Sequence, residues 1–87
     1  MSLSRHASVR LQQRAIPPYV LELLERFGSE ARCGGASRLF FDKPARRRLA
    51  RHMGGPRGLR HVEHWLNVYA VIGDNGQVVT VGHRYRN

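Results

Sequence analysis

The sequence predicts a small α+β domain in which two N-terminal helices precede an antiparallel sheet, and a basic helix interrupts the strands. Three observations support this class: helical apolar spacing in the first third, glycine turns between short β-rich runs, and a length of 87 residues with 41% hydrophobic content. Residues 1–87 are therefore assigned to one domain. Its core is expected to be thin, so a monomer or a small homo-oligomer is predicted.

The first predicted helix covers Leu3–Gln13, where apolar residues recur every four positions and Ser2 or Ser4 can act as the N-cap. Cationic side chains repeat at the same interval, one residue before the apolar stripe: His6, Arg10 and Arg14. At about 100° per residue they form a polar ridge beside the buried face. We expect this ridge to border a cleft.

A second helix is predicted between Pro17-Pro18 and Gly28. Apolar residues follow the i, i+3, i+4, i+7 spacing from Val20 to Phe27. Proline is tolerated in a first helical turn, and Gly28 is expected to end the helix in the left-handed conformation.

A β-hairpin is predicted next, with strands Glu30–Cys33 and Ala36–Phe41 around Gly34-Gly35. Pro44 then begins a basic helix that extends to Met53, with an apolar side formed by Ala45, Leu49 and Met53. Its other positions carry four arginines: Arg46, Arg47, Arg48 and Arg51. This helix is expected to be either a solvated cationic face or a contact surface for a phosphate backbone.

The last third of the sequence is predicted to form a second hairpin. Leu59–Leu66 is interpreted as a short helix or an irregular segment, because its apolar spacing suits a helix and a strand almost equally. Asn67–Ile72 and Gln77–Tyr85 then flank the turn Asp74-Asn75-Gly76, which favours antiparallel pairing.

The charge balance points to an anionic partner. Fifteen basic residues, fourteen of them Arg, face six acidic ones, giving a net charge of +9. Guanidinium groups match phosphate oxygens in a bidentate manner, so nucleic acid is the first expectation and an acidic protein the second. A GC-rich genome would explain why Arg is used instead of Lys, but it would not explain why the net charge is positive.

The remaining composition favours a cytoplasmic protein without a membrane segment. No apolar run approaches the length of a membrane helix, and the first residues lack the apolar centre of a secretory signal. A single cysteine, Cys33, cannot form an internal disulfide and is expected to be a small buried residue.

The opening Ser4–Ile16, S-R-H-A-S-V-R-L-Q-Q-R-A-I, resembles the S-x-H-A-x-x-R-x-x-x-R-G-I opening of a small family of domains of unknown function. The closing Gln77–Tyr85 is similar to that family's final strand. The family is commonly grouped with the RelE/ParE-like toxin superfamily. Ala15 stands where the family has glycine, the helix from Pro44 is an insertion, and Gly82-His83 is expected to interrupt the final strand.

The resemblance implies a helical hairpin packed on a small, mostly antiparallel sheet. The best-known members of the superfamily cut RNA without a metal, whereas ParE-like relatives act on a DNA topoisomerase. Membership therefore does not determine the activity.

Metal-free RNA cleavage needs an acid, a base and cations that stabilise the transition state. We assign His6 and His83 as acid and base in either order, and place Arg10, Arg14 and Arg84 at the phosphate, with Thr80 or Tyr85 assisting. Strand alternation puts His83 and Tyr85 on the face of Val79 and Val81, and Thr80 and Arg84 on the opposite face. A bulge at Gly82 would bring them together.

No metal or other cofactor is predicted. His61-Val62-Glu63-His64 lacks a third ligand at a recognisable spacing. Three aromatic residues have side chains that can stack on bases, but we expect them to belong to the core instead: Phe40, Phe41 and Trp65.

The leading hypothesis is a toxin-like, metal-independent endoribonuclease, or a descendant of one, acting on RNA phosphodiesters. The first alternative is a non-catalytic nucleic-acid-binding module, and the second is a protein-targeting toxin that docks an acidic antitoxin. Both alternatives need the arginines but neither His6 nor His83.

Overall fold

A computed structural model describes residues 2–84. Its elements, in chain order, are α1 (Arg5–Gln13), α2 (Pro18–Phe27), β1 (Ser29–Cys33), β2 (Ala36–Phe40), α3 (Lys43–His52), α4 (Pro56–Leu59), a 3-10 turn (Glu63–Trp65), β3 (Val68–Gly73) and β4 (Val78–His83). The α+β prediction is confirmed. Within residues 2–84, no helix has the length and apolarity needed to cross a membrane.

The four strands form one antiparallel sheet in the order β1-β2-β3-β4. Both predicted hairpins are confirmed. In the first, Gly34 has a φ of +63°, which a two-residue turn with glycine at its first central position requires. The sheet thus follows the chain order strand by strand, with β1 and β4 at its edges.

The hydrophobic core lies on one face of the sheet. Leu39, Ala70 and Val81 form a cross-strand row that is buried beneath the helices. α1 packs along β4, and α2 lies over β2 and β3 and against α3. We call this side the helix-covered face.

The residues just before α1 pair with the outer edge of β4 in a short parallel β-bridge. The Ser4 backbone N–H donates to the Val78 carbonyl at 2.8 Å, and the Val78 N–H donates to the Ser2 carbonyl at the same distance. The Ser4 hydroxyl also accepts from the Ala7 N–H at 3.0 Å, so Ser4 is the N-cap of α1. The first helix and the last strand therefore meet.

α3 begins at a side-chain cap. One Asp42 carboxylate oxygen accepts from the Ser29 hydroxyl at 2.6 Å and from the Ala45 N–H at 3.0 Å. These two bonds, and then the positive charge of Arg48, lower the pKa of Asp42 from its ordinary value of 3.8. Ala45 and Leu49 are fully buried, as the predicted apolar side of this helix requires.

Gly28 does not end α2 in the left-handed conformation, because its φ is −68°. The close approach of the chain explains the glycine instead, since a Cβ at this position would lie 2.5 Å from the Leu24 carbonyl oxygen. The left-handed conformation occurs at Ala15, with a φ of +51°. This is the position at which the family that the opening of the sequence resembles has glycine.

β4 differs from its prediction in two ways. Its irregularity lies near Val79, where Val71 pairs with Thr80 while Ile72 pairs with Val78. The strand continues in regular pairing through Gly82 and His83, so it is not interrupted there. Val79 is therefore the extra residue of a β-bulge.

Cys33 is exposed rather than buried, since it lies at the end of the edge strand β1, beyond the reach of the helices. The Leu59–Leu66 segment is irregular, as predicted, and includes the 3-10 turn. Phe41 is buried in the core, as expected, whereas Phe40 lies on the other side of the sheet and Trp65 is half-buried.

Candidate nucleic-acid interface

No described helix covers the second face of the sheet, which we call the open face. Strand alternation and the pairing register place two rows of side chains on it. The rows are Arg38–Val71–Thr80 and Phe40–Tyr69–Gly82, and Arg84 follows at the end of β4. This face combines arginine, aromatic and small side chains on a rigid support.

Two arginines lie over aromatic rings on the open face. The Arg38 guanidinium carbon is 4.6 Å from the centroid of the Tyr69 ring, and that of Arg84 is 5.3 Å from the centroid of Phe40. Both distances fall within the range of cation–π attraction. The rings therefore hold the planar guanidinium groups against the sheet while the charges stay exposed to solvent.

Gly82 makes room for the Tyr69 ring. A Cβ at position 82 would lie 3.1 Å from the Tyr69 hydroxyl oxygen and 3.2 Å from two carbons of the ring. Tyr69 and Gly82 are also direct cross-strand partners. The ring lies between the Gly82 backbone and the Arg38 guanidinium, which defines its position on the open face.

No described carboxylate forms an ion pair with Arg38 or Arg84. In the part of the chain that the structure covers, the single ion pair joins Arg32 to Asp74 at 3.3 Å. Glu30 pairs across the sheet with Leu39, so it belongs to the opposite side. Arg38 and Arg84 therefore present uncompensated charge, which gains most from an anionic ligand.

The structure separates the predicted residues of β4. Thr80 and Arg84 belong to the open face. His83 pairs with Val68 and so lies on the helix-covered face, where its ring is 6.4 Å from Trp65 and its Nδ1 is 3.3 Å from the Asn67 side-chain oxygen. Tyr85 lies outside the described residues.

Among the predicted residues of α1, His6 lies away from His83. His6 is exposed in the first turn, close to Ser4, which bonds to the first residue of β4. His83 is the last residue of that strand, about 16 Å further along at the usual rise per residue. Arg10 is half-buried and Arg14 is exposed at the C-cap of α1. The acid–base pair of His6 and His83 stays a prediction.

Two of the four predicted arginines of α3 bond to backbone carbonyls, although only Arg48 among the four is half-buried and the other three are exposed. Arg46 donates to the Phe41 and Leu66 carbonyls, and Arg48 donates to the Phe27 carbonyl at 3.1 Å. Arg47 and Arg51 are exposed to solvent. Two of the four are thus left for contact with phosphate, and the other two attach α3 to its neighbours.

Sequence reasoning missed Arg38 and Tyr69. The available signal was alternation, because Arg38 and Phe40 share one side of their strand, as do Tyr69 and Val71. Alternation does not show which side is covered, nor that Tyr69 pairs with both Phe40 and Gly82. The described residues also contain no group of three or more His, Cys, Asp and Glu side chains that could hold a metal ion.

Compared with protein-family models, with curated proteins and with solved structures, the chain matches none.

Proposed function

We propose that this chain binds single-stranded nucleic acid, with RNA as the preferred class, and that the open face is the binding surface. The observation that supports this most strongly is the pair of arginines held over Tyr69 and Phe40 on one uncovered sheet face. Nucleobases stack on aromatic rings and on guanidinium planes, and phosphates attract the same arginine charges.

A single strand fits this face better than a duplex. Proteins commonly read a DNA duplex by inserting a helix into its major groove, whereas this face is a sheet. In a duplex the bases are stacked on one another and are not free to stack on the protein. An unpaired strand can instead turn its bases towards Arg38 and Tyr69 while its phosphates contact Arg84. The preference for RNA over DNA rests on the resemblance of the chain ends to a family grouped with the RelE/ParE-like superfamily, whose best-known members cut RNA.

Binding is measured by fluorescence anisotropy with a labelled RNA oligonucleotide, the DNA of the same sequence, and the RNA duplex. We expect the single strands to bind more tightly than the duplex. For single strands, a plot of log K against log salt concentration has a slope of roughly −0.7 per phosphate contacted. Two phosphate contacts therefore give a slope of about −1.4. Further contacts at Arg47 and Arg51 would make the slope steeper.

The open face is tested by Tyr69→Ala and Arg38→Ala. Loss of one stacked base weakens binding by about 1 to 3 kcal/mol, or roughly 5- to 150-fold. The matched control is Arg26→Ala, which removes an equal charge and a cation–π pair, 5.1 Å from the Phe27 centroid, on the helical side. If the control weakens binding as much as Arg38→Ala, the open face is not the site.

Cleavage is assayed separately, because the ribonuclease hypothesis makes a different prediction. The protein is incubated with RNA in excess chelator, and the product ends are analysed. Products with 2′,3′-cyclic phosphate that disappear in His6→Ala or His83→Ala would identify a metal-independent ribonuclease. Binding without cleavage that survives both substitutions identifies a binding module, and tight capture of an acidic protein without nucleic-acid binding contradicts the proposal.

A further inference from the structure

We propose that β1 is a dimerisation edge, through which a second copy of this chain pairs antiparallel and in register about Ala31. β1 is an outer strand of the sheet, and Glu30, Ala31, Arg32 and Cys33 are all exposed. Both faces of the strand are therefore uncovered, since α1 and α2 lie over the other strands. An uncovered edge strand is a template for pairing with another strand.

The free backbone groups of β1 belong to Glu30 and Arg32. The two-residue turn makes Cys33 and Ala36 a hydrogen-bonded pair, and bonding to the neighbouring strand then alternates along β1. Ala31 is consequently bonded to β2, whereas the N–H and C=O groups of Glu30 and Arg32 point away from the sheet. These four groups are the ones that a second strand can reach.

The charges of β1 are self-complementary in one register. When two copies of the strand pair antiparallel with Ala31 opposite Ala31, each Glu30 lies opposite an Arg32 of the other copy. These two pairs are also the hydrogen-bonded pairs, so the backbone bonds and the charge attraction coincide. Sliding one copy by two residues would remove both Glu–Arg pairs and place Glu30 opposite Glu30 or Arg32 opposite Arg32.

The dimer would join two open faces into one eight-stranded sheet surface. A two-fold axis perpendicular to the sheet keeps both helix-covered faces on the same side. The net charge of +9 on each chain opposes association, but screening over about 8 Å at physiological ionic strength limits this repulsion to nearby groups. The inference does not depend on nucleic-acid binding, because β1 contributes none of the residues assigned to it above.

Cross-linking tests the register. In the pairing about Ala31, two Ala31 residues form a non-hydrogen-bonded pair with Cα atoms about 4.5 Å apart, within disulfide range. Ala31→Cys in a Cys33→Ser background should therefore form a disulfide dimer under mild oxidation. The wild-type chain is the matched control, since its exposed Cys33 lies about 13 Å from the other Cys33 along the strands and should remain monomeric on denaturing gels.

Charge reversal tests the pairing independently, by sedimentation at physiological salt without nucleic acid. All charge variants carry Asp74→Asn, because Arg32 is paired with Asp74 in its own chain and Arg32→Glu would otherwise place two carboxylates side by side. In that background, Glu30→Arg or Arg32→Glu alone places like charges opposite each other twice in the dimer, so the dissociation constant should rise about tenfold. Combining Glu30→Arg with Arg32→Glu restores opposite charges and should return the constant to near the value of Asp74→Asn alone. Circular dichroism confirms that each variant is folded.

The inference is overturned by any of three results: a wild-type chain that stays monomeric at millimolar concentration, equal cross-linking through Cys33 and through Ala31→Cys, or a variant with both charge changes that dimerises no better than the variants with one. None of these results bears on the open face. A failure of dimerisation and a failure of nucleic-acid binding are therefore separate outcomes.

Discussion

The two faces of this sheet are built from the same four strands but have opposite compositions. On the helix-covered face, Leu39, Ala70 and Val81 are buried, and Ser37 is the one buried polar residue among those described. On the open face, Arg38 and Arg84 lie over Tyr69 and Phe40. Because side chains alternate along a strand, neighbouring residues serve stability and surface chemistry in turn. Stability and ligand binding should therefore be separable by mutation.

The largest expected effect comes from the helix-covered face. Leu24 is fully buried in the core, so Leu24→Ala should lower the free energy of unfolding by about 2 to 5 kcal/mol. Val71→Ala, a truncation on the open face, should cost less than about 1 kcal/mol. Urea unfolding followed by circular dichroism measures both. Equal losses would show that the open face is also part of the core.

Gly82→Ala tests how tightly the Tyr69 ring packs on the open face. The new methyl group would meet the Tyr69 ring and its hydroxyl at 3.1 to 3.2 Å, so the ring must move. We expect a loss of stability of about 1 to 2 kcal/mol and weaker nucleic-acid binding.

The double variant Tyr69→Ala/Gly82→Ala identifies the cause of that effect. Without the ring, the methyl group has space, so Gly82→Ala should cost almost nothing in the Tyr69→Ala background. If the cost is the same in both backgrounds, the ring contact is not responsible for it.

Ala15→Gly should change stability without changing binding. Ala15 has a φ of +51°, a conformation that glycine adopts without steric cost. We expect the substitution to stabilise the protein by about 0.5 to 1 kcal/mol, seen as a higher thermal midpoint. A lower midpoint would contradict this, and altered RNA affinity would show that the α1–α2 link affects the open face.

The smallest effect is a pH dependence at the start of α3. The pKa of Asp42 is lowered in the folded protein, so its ionised form contributes stability that is complete above the ordinary value of 3.8 and lost as the pH falls through the folded value. The stability advantage of wild type over Asp42→Asn, measured by urea unfolding, should therefore shrink below about pH 3.8. A constant difference from neutral to acid pH would contradict the role of the Asp42 charge.

Much of the fold was predictable because its signals are local. The N-cap at Ser4, the turn at Gly34-Gly35 and the buried side of α3 follow from residues close together in the chain. The candidate site was predictable only in part. Thr80 and Arg84 lie on the open face, whereas His6 lies beside the first residue of β4 and His83 is its last, and their pairing in catalysis stays a prediction.

The sequence by itself predicted α1, α2, α3, the two hairpins with their turns, and a strong positive net charge. Only the tertiary structure decided that Phe40, Tyr69 and Gly82 lie in one row, that the irregularity of β4 is near Val79, and that one face of the sheet stays uncovered. Turns and helices depend on neighbours within a few residues. Register and burial depend on contacts between distant segments, which a linear pattern does not contain.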